Sequence, residues 1–469
     1  MRHLHDPISS TAACHPVLFL TGFFPDITAL IPGVFSVERG LLRHFKVILP
    51  ILASSIGNAL QFYDFFLYGL ASALVFGPSF FPLSNPILST SGAFVGYAVG
   101  FVSRPLGGIV FGSVGDRYGR KTTLTWTLSL MGGATFLIGL LPTYQQAGII
   151  APIALITLRL IQGFAAGGEW SGGILMATEN APPKQQGFYG AWSQAGVGVG
   201  FILSSGLFFL FRAISGDQFL TWGWRLPFLV SIVVVVLGVV IRLKVGDTAE
   251  FARVAEKNGV QTPMTEVIRS YKTSVLAAST LILSEMIYVL MTTTVSLSYG
   301  AWLHVNESIL IASVFVSMTA DTVMMVIFGR LADLLGAPVV YGLGILCSAI
   351  SIYPFFMSVG TGNPYVIMAA FVITNGIFHA AMIGTQPGLL TALFPVQVRS
   401  SGLALGQSIA SVIVGFIPLI STAILYRTGS FNGVIVIFYA VSIISFCGLV
   451  LTCRKMSTFS VGTVKQTSC

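Results

Sequence analysis

Charged residues are scarce in this chain. Only 9% of its 469 residues are Asp, Glu, Lys or Arg, whereas 54% are hydrophobic. Soluble domains carry about 25% charged residues, so 24 basic and 16 acidic side chains would not cover the surface of a water-soluble fold of this length. The scarcity excludes a soluble enzyme or nucleic-acid binder and indicates an integral membrane protein.

Cysteine and catalytic motifs are also scarce. The five cysteines are scattered, odd in number and without a CxxC spacing, so neither a disulfide framework nor a metal site is expected. The sequence contains no nucleotide-binding motif, no nucleophile triad and no hydrophilic stretch long enough for a catalytic domain. We therefore predict a protein that is not an enzyme and that has no catalytic residues, cofactor or metal.

Long apolar runs dominate what remains. A membrane-spanning helix needs roughly 20 apolar residues, and the runs here predict an all-α membrane protein with twelve transmembrane helices in two six-helix halves. The predicted spans, numbered 1 to 12, cover residues 47–76, 90–113, 121–141, 149–177, 188–211, 223–243, 273–299, 307–329, 338–358, 364–392, 401–425 and 431–453.

The hydrophilic segments divide the chain into five parts. The first apolar stretch, Val17–Ser36, contains Pro25, Asp26 and Pro32, which are costly in lipid, so it is interpreted as part of a tail. The predicted parts are an N-terminal tail (1–46), a first half (47–243), a central loop (244–272), a second half (273–453) and a C-terminal tail (454–469).

The basic residues predict the orientation. With the N-terminus inside, 19 of the 24 Lys and Arg lie on inside segments, and the exceptions are Arg104, Arg159, Arg212, Arg225 and Arg427. Cytoplasmic loops carry such an excess. Both tails and the central loop are therefore predicted to be cytoplasmic, and the net charge of +8 needs no nucleic-acid partner.

An internal repeat supports the two halves. The pattern Gly112-x-x-x-Asp116-x-x-Gly119 returns as Gly329-x-x-x-Asp333-x-x-Gly336, and each copy follows the second span of its half. The alternative is chance, because this spacing alone is weak. Parallel repeats of this kind are typical of secondary transporters, whose substrate site lies between the halves near mid-depth.

Two motifs resemble those of the major facilitator superfamily. They are GSVGDRYGRK at residues 112–121 and RLIQGFAAGG at residues 159–168. Longer stretches, including GNALQFYDFFLYG in span 1 and FLTWGWRLPFLVSIV before span 6, resemble its metabolite:proton symporters, which carry compounds such as shikimate, α-ketoglutarate, citrate and proline/betaine. The resemblance covers about residues 50–255 and, more loosely, the chain to residue 453.

The resemblance implies roles for specific residues. The loop between spans 2 and 3 would be a conformational latch, and the fourth-helix motif would make Arg159 part of proton coupling; the alternative for Arg159 is a structural arginine. The residues assigned to the latch are Gly112, Asp116, Arg117, Gly119, Arg120 and, in the second half, Asp333.

The chain departs from these relatives at three places. Gln61 stands where relatives often have an acidic residue, so one carboxylate is lost. The second-half loop reads DLLGAPVV without basic residues, which predicts a weaker latch or one served by Arg330 alone. The leading 40 residues match no part of the family pattern.

Six charged side chains lie deep within the predicted spans, and such residues are functional candidates because of their cost in lipid. Burial disfavours the charged form of a carboxylate, which is the property that a proton-coupling site needs. Glu169 has a structural ion pair as its alternative, and Asp321 has no evident partner or role. The predicted proton-coupling residues are Asp64, Arg159, Glu169 and Glu285.

Polar side chains on the same spans are the candidate substrate contacts. Arg104 offers a planar fork that matches a carboxylate, although it could instead pair with Asp64 or Glu169. Packing is the alternative for the others, and His379 is expected to be packed. The predicted substrate contacts are Arg104, Gln61, Tyr68, Gln194, Tyr288, Asn375 and Gln386.

The predicted function is proton-driven uptake of a small organic acid across a bacterial cytoplasmic membrane. The partners would be the substrate, protons and the lipid bilayer, without nucleic acid, and we expect a monomer. One alternative is a carrier of a zwitterionic osmolyte, although the roughly 16 residues after span 12 lack the C-terminal coil of those relatives. The other alternative is a membrane sensor that binds a metabolite without transport.

Overall fold

The computed structural model describes residues 32–82, 86–244 and 263–466. Residues 1–48 and 49–469 form two compact units. The described part of the first unit is the start of the span 1 helix, which begins at Pro32, inside the segment predicted to be a tail. The remainder of the predicted tail, residues 1–31, and residues 245–262 of the central loop lie outside the described residues.

Each long apolar run forms a helix. The observed spans, in order, are Pro32–Ala71 with Ser72–Phe76 and Gly77–Phe80; Pro86–Tyr118; Arg120–Leu140; Ile150–Glu179; Gln186–Ser215; Arg225–Lys244; Lys272–Leu290 with Met291–Val295 and Ser296–Trp302; Glu307–Leu335; Ala337–Gly360; Pro364–Phe371 with Val372–His379 and Ala380–Thr391; Arg399–Thr428; and Asn432–Gln466. Within the described ranges, eleven helices are long and apolar enough to span a membrane, and span 1, bent by 44°, is the twelfth.

Three spans are interrupted by π-helical segments. These segments are Ser72–Phe76 in span 1, Met291–Val295 in span 7 and Val372–His379 in span 10. π-Helical turns rotate the side chains that follow them and are frequent at functional sites. The interruptions in spans 1 and 7 fall at matching places in the two halves.

Glycines set how closely spans 2 and 4 approach. A Cβ at Gly163 would overlap the carbonyl oxygen of Gly100 and the Ser103 hydroxyl, and a Cβ at Gly167 would overlap the Arg104 carbonyl oxygen. Small residues let membrane helices pack backbone to backbone. This contact places the polar side chains of spans 2 and 4 around one space.

The two halves meet along spans 2 and 11 and along spans 5 and 8. Gly112 abuts Ser401, and the rings of Phe201 and Phe315 lie 6.2 Å apart. These contacts run from the end of the bundle that carries the repeated loops to about the middle of the spans. The halves are therefore joined at the loop end in this conformation.

Candidate transport site

A small cavity lies within the first half, between spans 1, 2, 3 and 4. It brings together two arginines, one carboxylate, two amides and an aromatic ring. Its polar and aromatic lining consists of Gln61, Asp64, Phe65, Arg104, Arg159 and Gln162. Four of these six were predicted as site residues from the sequence.

Asp64 is the centre of this cavity's hydrogen bonding. Thr135 donates to its Oδ1 at 2.7 Å and the Gln162 amide donates to the same oxygen at 2.5 Å. The Arg159 guanidinium lies 3.6 Å from Asp64 Oδ2. Asp64 is only 3% exposed, so its charge is offset by groups from spans 3 and 4.

Arg159 bridges the carboxylate and an aromatic ring. Its guanidinium carbon lies 4.3 Å from the centre of the Tyr68 ring, and its Nη1 donates to Gln162 at 3.3 Å. A guanidinium over an aromatic face is attracted by the ring quadrupole. Tyr68 therefore holds Arg159 through this cation–π contact. It is not among the residues that line the cavity.

Arg104 faces the same cavity from span 2. Its guanidinium carbon lies 4.5 Å from the Phe101 ring centre and 5.7 Å from the Phe65 ring centre. The planar group is thereby held between aromatic side chains and is only partly buried. Gln61 lies opposite in span 1, and its Oε1 accepts no hydrogen bond in the described part of the chain.

Glu169 belongs to a different cluster, and the predicted alternative of a pair with Arg104 is wrong. It forms an ion pair with Arg242 of span 6, and Thr127 donates to the same carboxylate. Arg242 also donates to the Leu124 carbonyl oxygen. Both charged groups are nearly inaccessible, so this pair ties spans 3, 4 and 6 together.

The second half contains a buried cluster around His379. Its Nδ1 lies 3.0 Å from Asp321 Oδ1, and its Nε2 lies 2.9 Å from Glu285 Oε1. Gln386 donates to Glu285 Oε2 at 3.2 Å. Asp321, for which the sequence indicated no partner, therefore has one, and His379 is more than a packed side chain.

The remaining predicted contacts lie away from the cavity around Arg104. Asn375 accepts from Thr292 at 2.5 Å and joins the interrupted segments of spans 7 and 10. The Tyr288 hydroxyl lies 2.9 Å from Ser351, and Gln194 accepts from Asn58 at 3.4 Å. In this conformation these three side chains hold helices together within their own halves.

The latch residues form a cap across the two halves. Asp116 accepts hydrogen bonds from the backbone N–H groups of Ser400 at 3.0 Å and Ser401 at 2.7 Å, at the start of span 11. A carboxylate is favourable at a helix N-terminus. Gly119 has a φ of 97°, a conformation that favours glycine, and the chain turns there into span 3.

Arg120 extends the cap into a charge network. It pairs with Asp116 at 2.9 Å and with Glu179 at 3.3 Å, and it donates to the Val396 carbonyl oxygen of the other half at 3.1 Å. Glu179 also pairs with Arg399 at 3.2 Å. Arg117 is exposed, with its guanidinium over the Tyr118 ring.

The second half repeats the cap without the network. Asp333 accepts from the N–H groups of Gly187 at 2.8 Å and Phe188 at 2.9 Å, at the start of span 5. Gly336 has a φ of 94°, like Gly119. Arg330 is exposed and has no ion pair among the described residues.

Known proteins similar to this chain are membrane transporters. The shikimate transporter of Escherichia coli (strain K12) is 37% identical over 423 residues, covering 87% of this chain and 95% of the relative. The chain belongs to the major facilitator superfamily. Residues 50–263 match the family described as "Sugar (and other) transporter". The resemblance drawn from the motifs is confirmed.

Other members of the superfamily show the same extent of match. The proline/betaine transporter of Escherichia coli (strain K12) is 30% identical, covering 82% of this chain and 78% of the relative. The structure of the proton:xylose symporter XylE bound to 6-bromo-6-deoxy-D-glucose matches with a TM-score of 0.65 and 13% identity, covering 88% of this chain and 95% of that one. The twelve-helix major facilitator fold predicted from the sequence is confirmed.

Five residues of these clusters are not among the site residues predicted from the sequence. The sequence assigns Arg242 and Arg399 only a topogenic role, as basic residues of the inside segments, and it assigns Glu179 no role. Gln162 lies three residues after Arg159 in the fourth-helix motif, so a helical-face argument would have found it. Thr135 carried no signal, because a hydroxyl inside an apolar run is ordinary.

Proposed function

We propose that this protein is a proton-coupled symporter that takes up a small organic acid, such as shikimate or a related carboxylate. It would act in a bacterial cytoplasmic membrane with both termini in the cytoplasm. The single observation that carries the proposal is the cavity in which Arg104 lies beside the Asp64–Arg159 pair. The shikimate transporter relative, at 37% identity, supports the substrate class.

Arg104 is the proposed carboxylate contact. A guanidinium fork forms two parallel hydrogen bonds with a carboxylate, and the rings of Phe101 and Phe65 hold that fork in one plane. Gln61, with a buried oxygen that accepts no hydrogen bond in the described residues, is the proposed contact for a substrate hydroxyl. The aromatic rings would pack against the apolar part of the substrate.

Asp64 is the proposed proton carrier of the first half. When ionised it accepts from Thr135 and Gln162 and faces Arg159. When protonated it loses the charge that holds Arg159, so that guanidinium becomes available to an anionic substrate. Proton binding at Asp64 is thereby linked to carboxylate binding in the cavity, where the released Arg159 adds to the contact from Arg104, as symport requires.

The latch supplies the conformational part of the cycle. In alternating access the halves rock around a midplane site, and the caps at Asp116 and Asp333 hold the loop end closed. Opening that end requires both caps to separate. We assign Glu169 to the framework that spans 3, 4 and 6 share with Arg242, because its carboxylate is occupied by Arg242 and Thr127.

Uptake into proteoliposomes tests the proposal. Purified protein would be assayed with labelled shikimate under an imposed pH gradient, with and without a protonophore. Accumulation that the protonophore abolishes supports symport. Absence of gradient-driven uptake across shikimate, dicarboxylates and aromatic acids would end the organic-acid assignment.

Two variant pairs localise the site in that assay. Asp64→Asn is expected to abolish accumulation, with Asp217→Asn, an exposed loop carboxylate, as its matched control. Arg104→Lys is expected to weaken substrate binding although the charge is retained, with exposed Arg212→Lys as its control. Wild-type behaviour of the cavity variants would remove those residues from the site.

A zwitterionic osmolyte is the second candidate substrate. The proline/betaine transporter relative at 30% identity favours it, and its carboxylate would use the same arginine. Competition of unlabelled glycine betaine and proline against labelled shikimate separates the two candidates. Accumulation of labelled betaine with no response to shikimate would favour the osmolyte.

A further inference from the structure

The cluster around His379 joins three spans of the second half. Glu285 comes from span 7, Asp321 from span 8 and His379 from the end of the π-helical segment of span 10. Gly376 allows this approach, because a Cβ there would lie only 2.9 Å from the Ala320 side chain. The three ionisable groups are 5%, 1% and 2% exposed, respectively.

The contacts require that the cluster hold protons. Both ring nitrogens of His379 lie within hydrogen-bond distance of a carboxylate oxygen. A neutral imidazole has one N–H and an ionised carboxylate has no donor. Two hydrogen bonds therefore need two shared protons, either on an imidazolium or on a neutral ring with one carboxylic acid.

That occupancy leaves the cluster with one net negative charge. The ion pairs found for Glu285 and Asp321 within the described residues are both with His379. Two tyrosines also lie near Glu285: Tyr288, one turn further along span 7, and Tyr341 of span 9, whose hydroxyl donates to the Leu281 carbonyl oxygen. A buried charge without full compensation is costly, and one further proton would remove it.

Gln386 is placed to form a hydrogen bond with Glu285 whether Glu285 is ionised or protonated. It is fully buried, its Nε2 donates to Glu285 Oε2 at 3.2 Å, and its Oε1 has no partner within the described residues. An amide can present either its NH₂ or its oxygen after rotation by half a turn. It therefore suits an ionised Glu285 in one orientation and a protonated Glu285 in the other.

The repeat gives this cluster positions equivalent to those of the first-half cavity. The offset that carries Gly112 to Gly329 and Asp116 to Asp333 also carries Arg104 to Asp321 and Gln162 to His379. Arg104 and Gln162 both line the cavity. The cluster thus occupies, in its own half, the helix positions that form the proposed substrate site in the other.

We propose that Glu285, His379 and Asp321 form a second proton-binding site, separate from Asp64, in which Glu285 exchanges the proton and Gln386 follows its state. In the transport cycle the site would load a proton on Glu285 with neutralisation of the cluster, and unload it with return of the single negative charge. This role rests on the proposed symport; proton binding itself does not.

Infrared difference spectroscopy tests proton binding without any substrate. Spectra of the protein in lipid vesicles at high and low pH would be compared in the carboxylic acid C=O stretching region. Wild type and the matched control Glu266→Gln should show titrating bands of buried carboxyl groups, and Glu285→Gln should lose the band of Glu285 while that of Asp64 remains. A spectrum of Glu285→Gln identical to wild type would overturn the proposal.

Two further variants test the site if Glu285→Gln does not fold and test whether His379 is coupled to Glu285. If Glu285→Gln does not fold, Glu285→Asp replaces it: a displaced band supports the site, and an unchanged band overturns it. His379→Gln should keep a carboxyl band but shift the pH at which it titrates. No shift in that variant would show that the histidine and the carboxylate are not coupled.

A transport assay separates the two proposals. In proteoliposomes with labelled shikimate, Glu285→Gln should lose accumulation driven by a pH gradient yet retain exchange of labelled for unlabelled substrate at equal pH. Full accumulation by this variant would overturn its role in coupling. If wild type itself does not transport shikimate, the symport proposal fails for that substrate, and the infrared result still decides the proton site.

Discussion

The two helix caps at the loop end should differ in strength, and neutralising each one measures the difference. Asp116→Asn and Asp333→Asn both keep the side-chain shape and remove the charge. Asp116 and Asp333 each accept two backbone N–H groups of the partner half, at 2.7–3.0 Å and 2.8–2.9 Å respectively. Only Asp116 also orients an arginine that crosses the interface.

The structure indicates the size of each effect. A carboxylate at a partly buried helix N-terminus is worth up to about 2 kcal/mol, roughly thirtyfold in an equilibrium constant. This is the expected loss for Asp333→Asn. Asp116→Asn should also weaken the charged hydrogen bond from Arg120 to Val396, so we expect a loss of about 3 kcal/mol in all, or roughly a hundredfold.

Single-molecule fluorescence transfer would report the population closed at the loop end. Dyes would be placed on Tyr118→Cys and Leu335→Cys, two exposed positions in opposite halves, after replacement of the five native cysteines. Both variants should raise the open population, and Asp116→Asn should raise it more. An equal or larger shift for Asp333→Asn would refute the reasoning about Arg120.

Three further predictions concern stability and binding. Glu169→Gln should lower stability by about 3–5 kcal/mol, because it leaves Arg242 buried without its partner; adding Arg242→Met should restore most of the melting temperature in detergent. Gly163→Ala should separate spans 2 and 4 at Gly100 and cost about 1–3 kcal/mol, read from the same melting curves, and an unchanged melting temperature would contradict the close packing. Arg104→Lys should bind labelled shikimate at least tenfold more weakly, since about 1.4 kcal/mol is lost with one hydrogen bond of a bidentate pair, and equal affinity by equilibrium dialysis would contradict that contact.

The composition of the chain and the spacing of its apolar runs and glycines are sufficient to predict the fold. Run length alone predicts helices that cross a membrane, and the Gly112 and Gly329 repeats predict two matching halves. The charge that caps a partner helix could also be predicted, because Asp116 and Asp333 lie at fixed distances from glycines that adopt a positive φ. These features depend on short spacings along one chain segment.

The partners of buried charges could not be predicted in the same way. Arg242 lies 73 positions from Glu169, and its place at the end of span 6 favoured a role in topology. His379 meets Asp321 and Glu285 from the end of a π-helical segment, and a regular 3.6-residue helix would aim that ring elsewhere. Helix rotation and irregular turns, which leave no simple pattern in sequence, decide which spans share a polar group.

The unlike residues at equivalent positions 104 and 321 make the two halves non-interchangeable. A chain assembled from two copies of the first half would carry a guanidinium group at both positions, and one assembled from two second halves would carry a carboxylate at both. Either arrangement would lose one of the two kinds of buried cluster, the arginine-lined cavity or the histidine–carboxylate cluster. The two halves therefore share one backbone architecture but differ in the charged groups that they bury, as the subunits of a heterodimer do.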